Sequence, residues 1–263
     1  MRFATYNVEW MNSLFDEDGQ LWNDTEWSAR HNVTRAAQTD ALHTVFRALD
    51  ADAVMVIEAP DHRLDTVRAL ERFAAFAGLR ARRAVTGFSN DTQQEIALLY
   101  DPDTLSVTHD PQRHPNAPRF DDSFDIDLDI DATEDRVVFS KPPLELEVET
   151  AQGTRLRMIG AHLKSKAPHG ARNRDEVMRI SIANRRKQLA QAIWLRARID
   201  GLLDDQNPVM LLGDLNDGPG LDEYENLFGR SSVEIILGDG ATALFDPHAR
   251  QALQRRIGAA PTT

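Results

Sequence analysis

The sequence predicts an α/β fold, on three observations. Short apolar runs of strand length stop abruptly at a polar, chemistry-bearing residue. Segments with apolar residues at helical spacing fall between those runs, and one pair of runs is joined by a turn that makes a hairpin. Continuous apolar runs are what strands covered on both faces look like, and their alternation with helices, with an added antiparallel hairpin, suits sheets faced by helices.

The elements follow in order along the chain. Arg2 to Tyr6 reads as a strand leading into Asn7 and Glu9. Residues Trp10 to Arg30 form an insertion that holds Trp10, Trp22 and Trp27, three of the four tryptophans, beside Asp16, Glu17, Asp18 and Gly19. A loop this polar is no core element, so some of these rings are expected at the rim beside Asn7 and Glu9. A helix is expected from Thr34 to Leu49, with Ala37, Ala41, Val45 and Leu49 on its apolar face. The strand Ala53 to Ile57 runs into Glu58 and is followed by a helix from Leu64 to Ala77 and strands at Ala81 to Thr86 and Glu95 to Tyr100.

Phe124 to Asp131 alternates strictly between apolar and acidic residues, the period of a strand with one carboxylate face. That face suits an edge strand protected by charge better than a calcium loop, which needs curvature to wrap an ion. Leu144 to Glu149 and Thr154 to Ala161 make the hairpin, turned by Ala151-Gln152-Gly153, and its second strand ends at His162. A long helix spans Asp175 to Leu203, with Ile182, Leu189, Ile193 and Leu195 as its buried positions. The last strand, Val209 to Leu212, opens into Gly213-Asp214-Leu215-Asn216, and Asp246-Pro247-His248 reads as the cap and first turn of a terminal helix.

Composition narrows the functional class. The 263 residues, 41% of them apolar, are expected to form one domain over residues 1–263. No apolar run reaches the 18 residues of a membrane span, and no charged-then-apolar leader opens the chain, so a cytoplasmic protein is expected. The absence of cysteine excludes disulfides, thiol nucleophiles and Cys-zinc sites. A net charge of −12 opposes non-specific polyanion binding, which draws on clustered Lys and Arg. The basic stretch from Lys164 to Lys187 is the local exception; its first part, with Lys164, Lys166 and Arg172, is positioned to clamp phosphate, whereas the later residues suit a solvated helix face.

Ligands in open α/β sheets sit outside the carboxyl ends of the strands. Four strand ends here deliver Asn7, Glu58, His162 and the pair Asp214 and Asn216. Any one of them has a bland reading as turn former or helix cap, but four together argue for one site. The segments Asn7-Val8-Glu9, Glu58 after an apolar strand, His162-Leu163-Lys164-Ser165-Lys166 and Gly213-Asp214-Leu215-Asn216 resemble, in order and spacing, the endonuclease/exonuclease/phosphatase superfamily of divalent-metal-dependent phosphoesterases. The resemblance covers about residues 1 to 230 and implies a four-layer sandwich of two mixed β-sheets flanked by helices. That family's pattern closes with an Asp strand and a Ser-Asp-His segment, neither of which is found here, and Asp246 and His248 read as structural. A C-terminally shortened domain of weak or no activity is therefore expected.

By the resemblance, Glu58 is the metal ligand, assisted by Asn7 and more weakly by Glu9, and the donor set favours Mg²⁺ or Mn²⁺ over zinc. Asp214 would orient or deprotonate the attacking water, while Asn216 and His162 donate to phosphoryl oxygens, the latter best as imidazolium. Lys164, Lys166 and Arg172 would bind substrate. A nuclease acting on DNA is the expected activity; hydrolysis of small-molecule or lipid-headgroup phosphates, or a non-catalytic binding module, are the alternatives.

Overall fold

The computed structural model describes residues 1–61, 65–90, 92, 94–128, 135–218 and 229–255. In chain order its main elements are β1 (Phe3–Asn7), α1 (Arg35–Leu49), β2 (Ala53–Ala59), α2 (Thr66–Ala77), β3 (Arg83–Thr86), β4 (Glu95–Tyr100), β5 (Leu105–His109), β6 (Phe124–Ile126), β7 (Asp135–Val137), β8 (Leu144–Thr150), β9 (Arg155–His162), α3 (Arg174–Asp204), β10 (Val209–Asp214), α4 (Ser232–Leu237) and α5 (Pro247–Arg255). They form two compact units: Met1–Pro111 with Ser140–His162 and Pro208–Asp214, and Gln112–Phe139 with Leu163–Asn207 and Leu215–Thr263.

The first unit contains two mixed four-stranded sheets, ordered β1-β2-β4-β3 and β10-β9-β8-β5. Each has one parallel pair, β1 with β2 and β9 with β10, and antiparallel neighbours beyond it. Ala53, Met55, Ile57, Ile96 and Leu98 of one sheet pack against Leu144, Leu146, Val148 and Met158 of the other, all buried. Gly160 permits this approach, since a Cβ there would stand 2.4 Å from Met55 Sδ and 2.9 Å from Ile96 Cγ2. The opposite face of the first sheet carries Val54, Val56, Ala97 and Leu99 against α1 and α2. The expected α/β class, with two mixed sheets and flanking helices, is what the chain forms.

The helices of this layer begin where side chains cap them. Thr34 accepts from Ala37 N–H at the start of α1, and Asp65 from Arg68 N–H at the start of α2. The buried face of α1 is not the expected one: Ala37 and Ala41 are exposed, and Leu42 and Phe46 point inward. Phe46 packs edge-on against Phe73 at 5.2 Å and against Tyr6 at 5.7 Å. Burying a Phe and a Leu removes more apolar area from water than burying two alanines, so the larger side chains set the rotation. Leu64, the expected start of α2, lies outside the described residues.

The second unit is organised by α3, which Asn173 caps by accepting from Glu176 N–H. Of the four expected core positions only Leu195 is buried; Ile182, Leu189 and Ile193 are half-exposed. The covered side instead carries Trp194, which packs with Phe120, Phe124 and Phe139, and a set of polar residues including Gln188, Gln191, Arg196 and Arg198. The acidic alternating segment supplies only the short strand β6, paired with β7, and Asp129 and Asp131 lie outside the described residues. Asp246 caps α5 by accepting from His248 N–H at 2.8 Å and Ala249 N–H at 3.1 Å, the structural role its sequence suggested. Among the described residues no helix is long and apolar enough to cross a membrane.

Candidate active site

The carboxyl ends of β1, β2, β9 and β10 all belong to the first unit, and they bring four of the predicted side chains into one cluster. Asn7 ends β1, and its amide nitrogen donates to Asp214 Oδ2 at 3.1 Å and lies 3.4 Å from Glu58 Oε1. One amide therefore joins two half-buried carboxylates from different sheets. His162 and Asp214 are register partners across the parallel pair β9 and β10. The His162 ring nitrogen Nε2 stands 3.9 Å from Glu58 Oε1, beyond hydrogen-bond reach.

Local backbone irregularities aim these groups. At Glu58 the ladder to β4 slips by one residue between Ile57 and Ala59, and Glu58 itself has a φ of 60°. Such a bulge re-aims a side chain at the end of a strand, and the left-handed backbone costs about 1–3 kcal/mol that the surrounding structure must supply. Gly213, just before Asp214, has a φ of 146°, and a Cβ there would sit 1.9 Å from the Ala161 carbonyl oxygen. Only glycine lets β10 approach β9 closely enough to deliver Asp214.

Two further residues complete the cluster. Gln94 Nε2 donates to Glu58 Oε2 at 2.6 Å, and Lys141 Nζ donates to Gln94 Oε1 and to His162 Nδ1 at 3.2 Å. Both stand just before the antiparallel strands β4 and β8, which begin where β2 and β9 end. Applied to strand starts as well as strand ends, the same sequence reasoning would have found them. An ammonium group has no lone pair, so Nδ1 of His162 must be the acceptor and the ring proton sits on Nε2. Burial and the Lys141 charge, against the opposing pull of Asp214, hold the imidazole down to about 4. At neutral pH His162 is thus a neutral Nε2–H donor, and Lys141 brings the positive charge.

Glu9 is not gathered with these groups. Its carboxylate pairs with Arg30 at 2.6 Å and accepts from the Trp10 indole at 3.0 Å, while its backbone N–H donates to Asn7 Oδ1 at 3.1 Å. Glu9 orients Asn7 through that backbone bond, and its carboxylate is engaged with Arg30.

The remaining predicted residues lie in the second unit. The Asn216 amide donates to the Leu163 carbonyl at 3.0 Å, and Gln188 donates to the carbonyls of Leu215 and Asn216 at 3.2 and 3.0 Å. Gln191 accepts from Lys164 N–H at 2.8 Å. These bonds from α3 fix the two segments that follow His162 and Asp214 in the chain. Lys166 pairs with the fully buried Asp217 carboxylate, which also accepts from Ser232 N–H at 2.7 Å. Its ammonium is therefore engaged in holding this unit together. Lys164 is half-buried, with its proton affinity lowered by burial and by Lys187, and Arg172 is exposed.

A sequence model for the endonuclease/exonuclease/phosphatase family matches residues 4–261. The chain belongs to that family. Its members are metal-dependent enzymes that hydrolyse phosphoester bonds. No curated protein matches the sequence at a significant level. Among solved structures it is similar to a functionally unknown conserved protein from Enterococcus faecalis V583, at 17% identity and TM-score 0.41, covering 86% of this chain and 71% of that one. It is also similar to truncated TDP2 of Caenorhabditis elegans (15%, TM-score 0.36, 68% and 54%) and to a Bacteroides thetaiotaomicron VPI-5482 mannosyl-6-phosphatase (14%, TM-score 0.44, 86% and 69%). The chain spans little more than half the length of the nematode structure.

The donor set suits the family's divalent cation in kind. Mg²⁺ takes hard oxygen ligands, typically one or two carboxylates, and keeps several waters. Glu58 is held by the amides of Asn7 and Gln94 and faces a neutral imidazole, so its charge is oriented by neutral groups. Asp214 supplies the second carboxylate of the cluster. Among the described residues no group of three or more His, Asp or Glu side chains is placed to hold a metal ion by itself.

Proposed function

We propose that this chain is a divalent-metal-dependent phosphodiesterase acting on nucleic acid. The observation that carries the reading is the junction at Asn7, where one amide unites the carboxylates of two sheets at the mouth of four strands. A divalent cation held by Glu58 would neutralise charge on the phosphoryl oxygens. Asp214 accepts a proton from, or orients, the attacking water, and Asn7 keeps its carboxylate facing Glu58. The Nε2–H of His162 donates to a phosphoryl oxygen, and the nearby ammonium of Lys141 favours the charge growing there.

The net charge of −12 favours a second reading, a phosphoesterase of small molecules, because it opposes a long polyanion. One experiment separates the two: the chain with Mg²⁺ or Mn²⁺ against single- and double-stranded oligonucleotides, sugar phosphates and 4-nitrophenyl phosphate. The nuclease reading expects cleaved oligonucleotides and an Asp214→Ala loss of about 10²–10⁴-fold. Turnover of monoesters alone would replace it with the second reading, and an Asp214→Ala enzyme as fast as the parent would overturn the assigned role.

A further inference from the structure

Trp10, Trp22 and Trp27 are 50, 40 and 65% exposed, although tryptophan has the most apolar area to hide. Their surroundings differ. Trp22 is already covered, with the Arg35 guanidinium carbon 4.2 Å from its ring centroid. Among the described residues no guanidinium covers Trp10, which adopts a φ of 63°, next to Glu9 at 34°. Left-handed backbone is a genuine outlier for so bulky a residue and persists only where neighbours enforce it.

The enforcing bonds run to the active cluster. Glu9 N–H donates to Asn7 Oδ1 at 3.1 Å, the Trp10 indole N–H to Glu9 Oε1 at 3.0 Å, and Arg30 to Glu9 Oε2 at 2.6 Å. Ser13 Oγ donates to the Trp10 carbonyl at 3.0 Å and accepts from Ala29 N–H at 3.2 Å, which ties in the segment carrying Trp27. The polar edge of the Trp10 indole is thereby satisfied and its orientation set, three residues after Asn7.

We propose that Trp10, assisted by Trp27 on the loop bonded to it, is a stacking platform for a nucleobase next to the scissile phosphoester. This deepens the nuclease reading above and rests on it. The polar groups around Trp10 satisfy one another, so the platform offers a flat π-face rather than the directional acceptors that sugar hydroxyls need. Base stacking on such a face contributes about 1–3 kcal/mol and tolerates any base. The same loop carries Asp16, Glu17, Asp18 and Glu26, whose charge repels a long run of phosphates. The ligand it fits is a single nucleotide or the end of a short single strand.

Calorimetric titration tests this in the Asp214→Ala background with Mg²⁺, which holds turnover low, using thymidine 5′-monophosphate and 2-deoxyribose 5-phosphate as probes. The nucleotide should bind about 5- to 150-fold more tightly than the sugar phosphate, the range that base stacking supplies. Adding Trp10→Ala should abolish that ratio, Trp10→Phe should keep most of it, and Trp22→Ala should leave it intact. Equal binding of the two probes, binding of neither, or a Trp10→Ala loss that strikes both equally would overturn the proposal. Base-selective binding by a wild-type chain that hydrolyses no phosphoester would sink the enzymatic reading and leave the platform standing. Hydrolysis of oligonucleotides without base-selective binding would do the reverse.

Discussion

Replacing Asn7 by aspartate tests the junction directly. The amide nitrogen lies 3.1 Å from one carboxylate oxygen and 3.4 Å from another, and Asn7→Asp puts a third carboxylate in its place. At an effective dielectric of about 20, unit charges roughly 3.3 Å apart repel by about 5 kcal/mol. The folded chain escapes this by binding a proton, at a cost set by the ordinary aspartate pKa of about 3.9. That cost is about 4 kcal/mol at pH 7 and about 1.5 kcal/mol at pH 5.

The sign is fixed by linkage. The folded trio binds its proton more tightly than the unfolded chain does, so the variant keeps its stability at low pH and loses it as pH rises. Urea unfolding in EDTA at pH 5, 6 and 7 should show the deficit relative to wild type growing by roughly 1.4 kcal/mol per pH unit. At pH 7 the melting temperature should fall by about 8–16 °C for a chain of this size. Mg²⁺ should restore the variant more than it stabilises the parent, because a bound cation replaces the missing neutralisation. A deficit equal at pH 5 and pH 7 would refute the idea that Asn7 separates two charged carboxylates.

Two other outcomes follow from the same cluster. In metal-free protein Lys141→Met should raise the His162 midpoint above about 4 while leaving it below the ordinary histidine value, because burial is the larger cause and remains; NMR titration of the ring protons reads this. An unchanged midpoint would mean the ammonium does not act on the ring. Gly213→Ala should cost at least about 3 kcal/mol in urea unfolding, since its Cβ would meet backbone rather than a movable side chain 1.9 Å away, and a loss under about 1 kcal/mol would show that β10 can shift freely.

The sequence made the ends of parallel strands legible because an apolar run that stops at Asn, Glu, His or Asp marks its own terminus. Asn7, Glu58, His162 and Asp214 were found that way. Gln94 and Lys141 were missed because they precede their strands, and only the antiparallel pairing of β4 with β2 and of β8 with β9 carries them to the same mouth. The pairing of Glu9 with Arg30 is not legible in the sequence, because the two lie 21 residues apart in a loop without periodicity. Apolar spacing placed the face of α1 one position off, where Leu42 and Phe46 outweigh alanines. It could not read α3, whose covered side is satisfied by carbonyl groups supplied from distant loops.

That covered side of α3 restricts how the helix can dock. Arg196 donates to the carbonyls of Ile236, Leu237 and Thr242, Arg198 to those of Ala117 and Pro118, and Trp194 to Pro118. A greasy helix can slide or roll by a residue and still be wetted by oil, whereas one studded with guanidinium forks is keyed like a lock cylinder. Any other rotation would strand these two guanidinium groups away from water at several kcal/mol each. The pairing of helix and loops is therefore set by hydrogen-bond direction as well as by apolar fit.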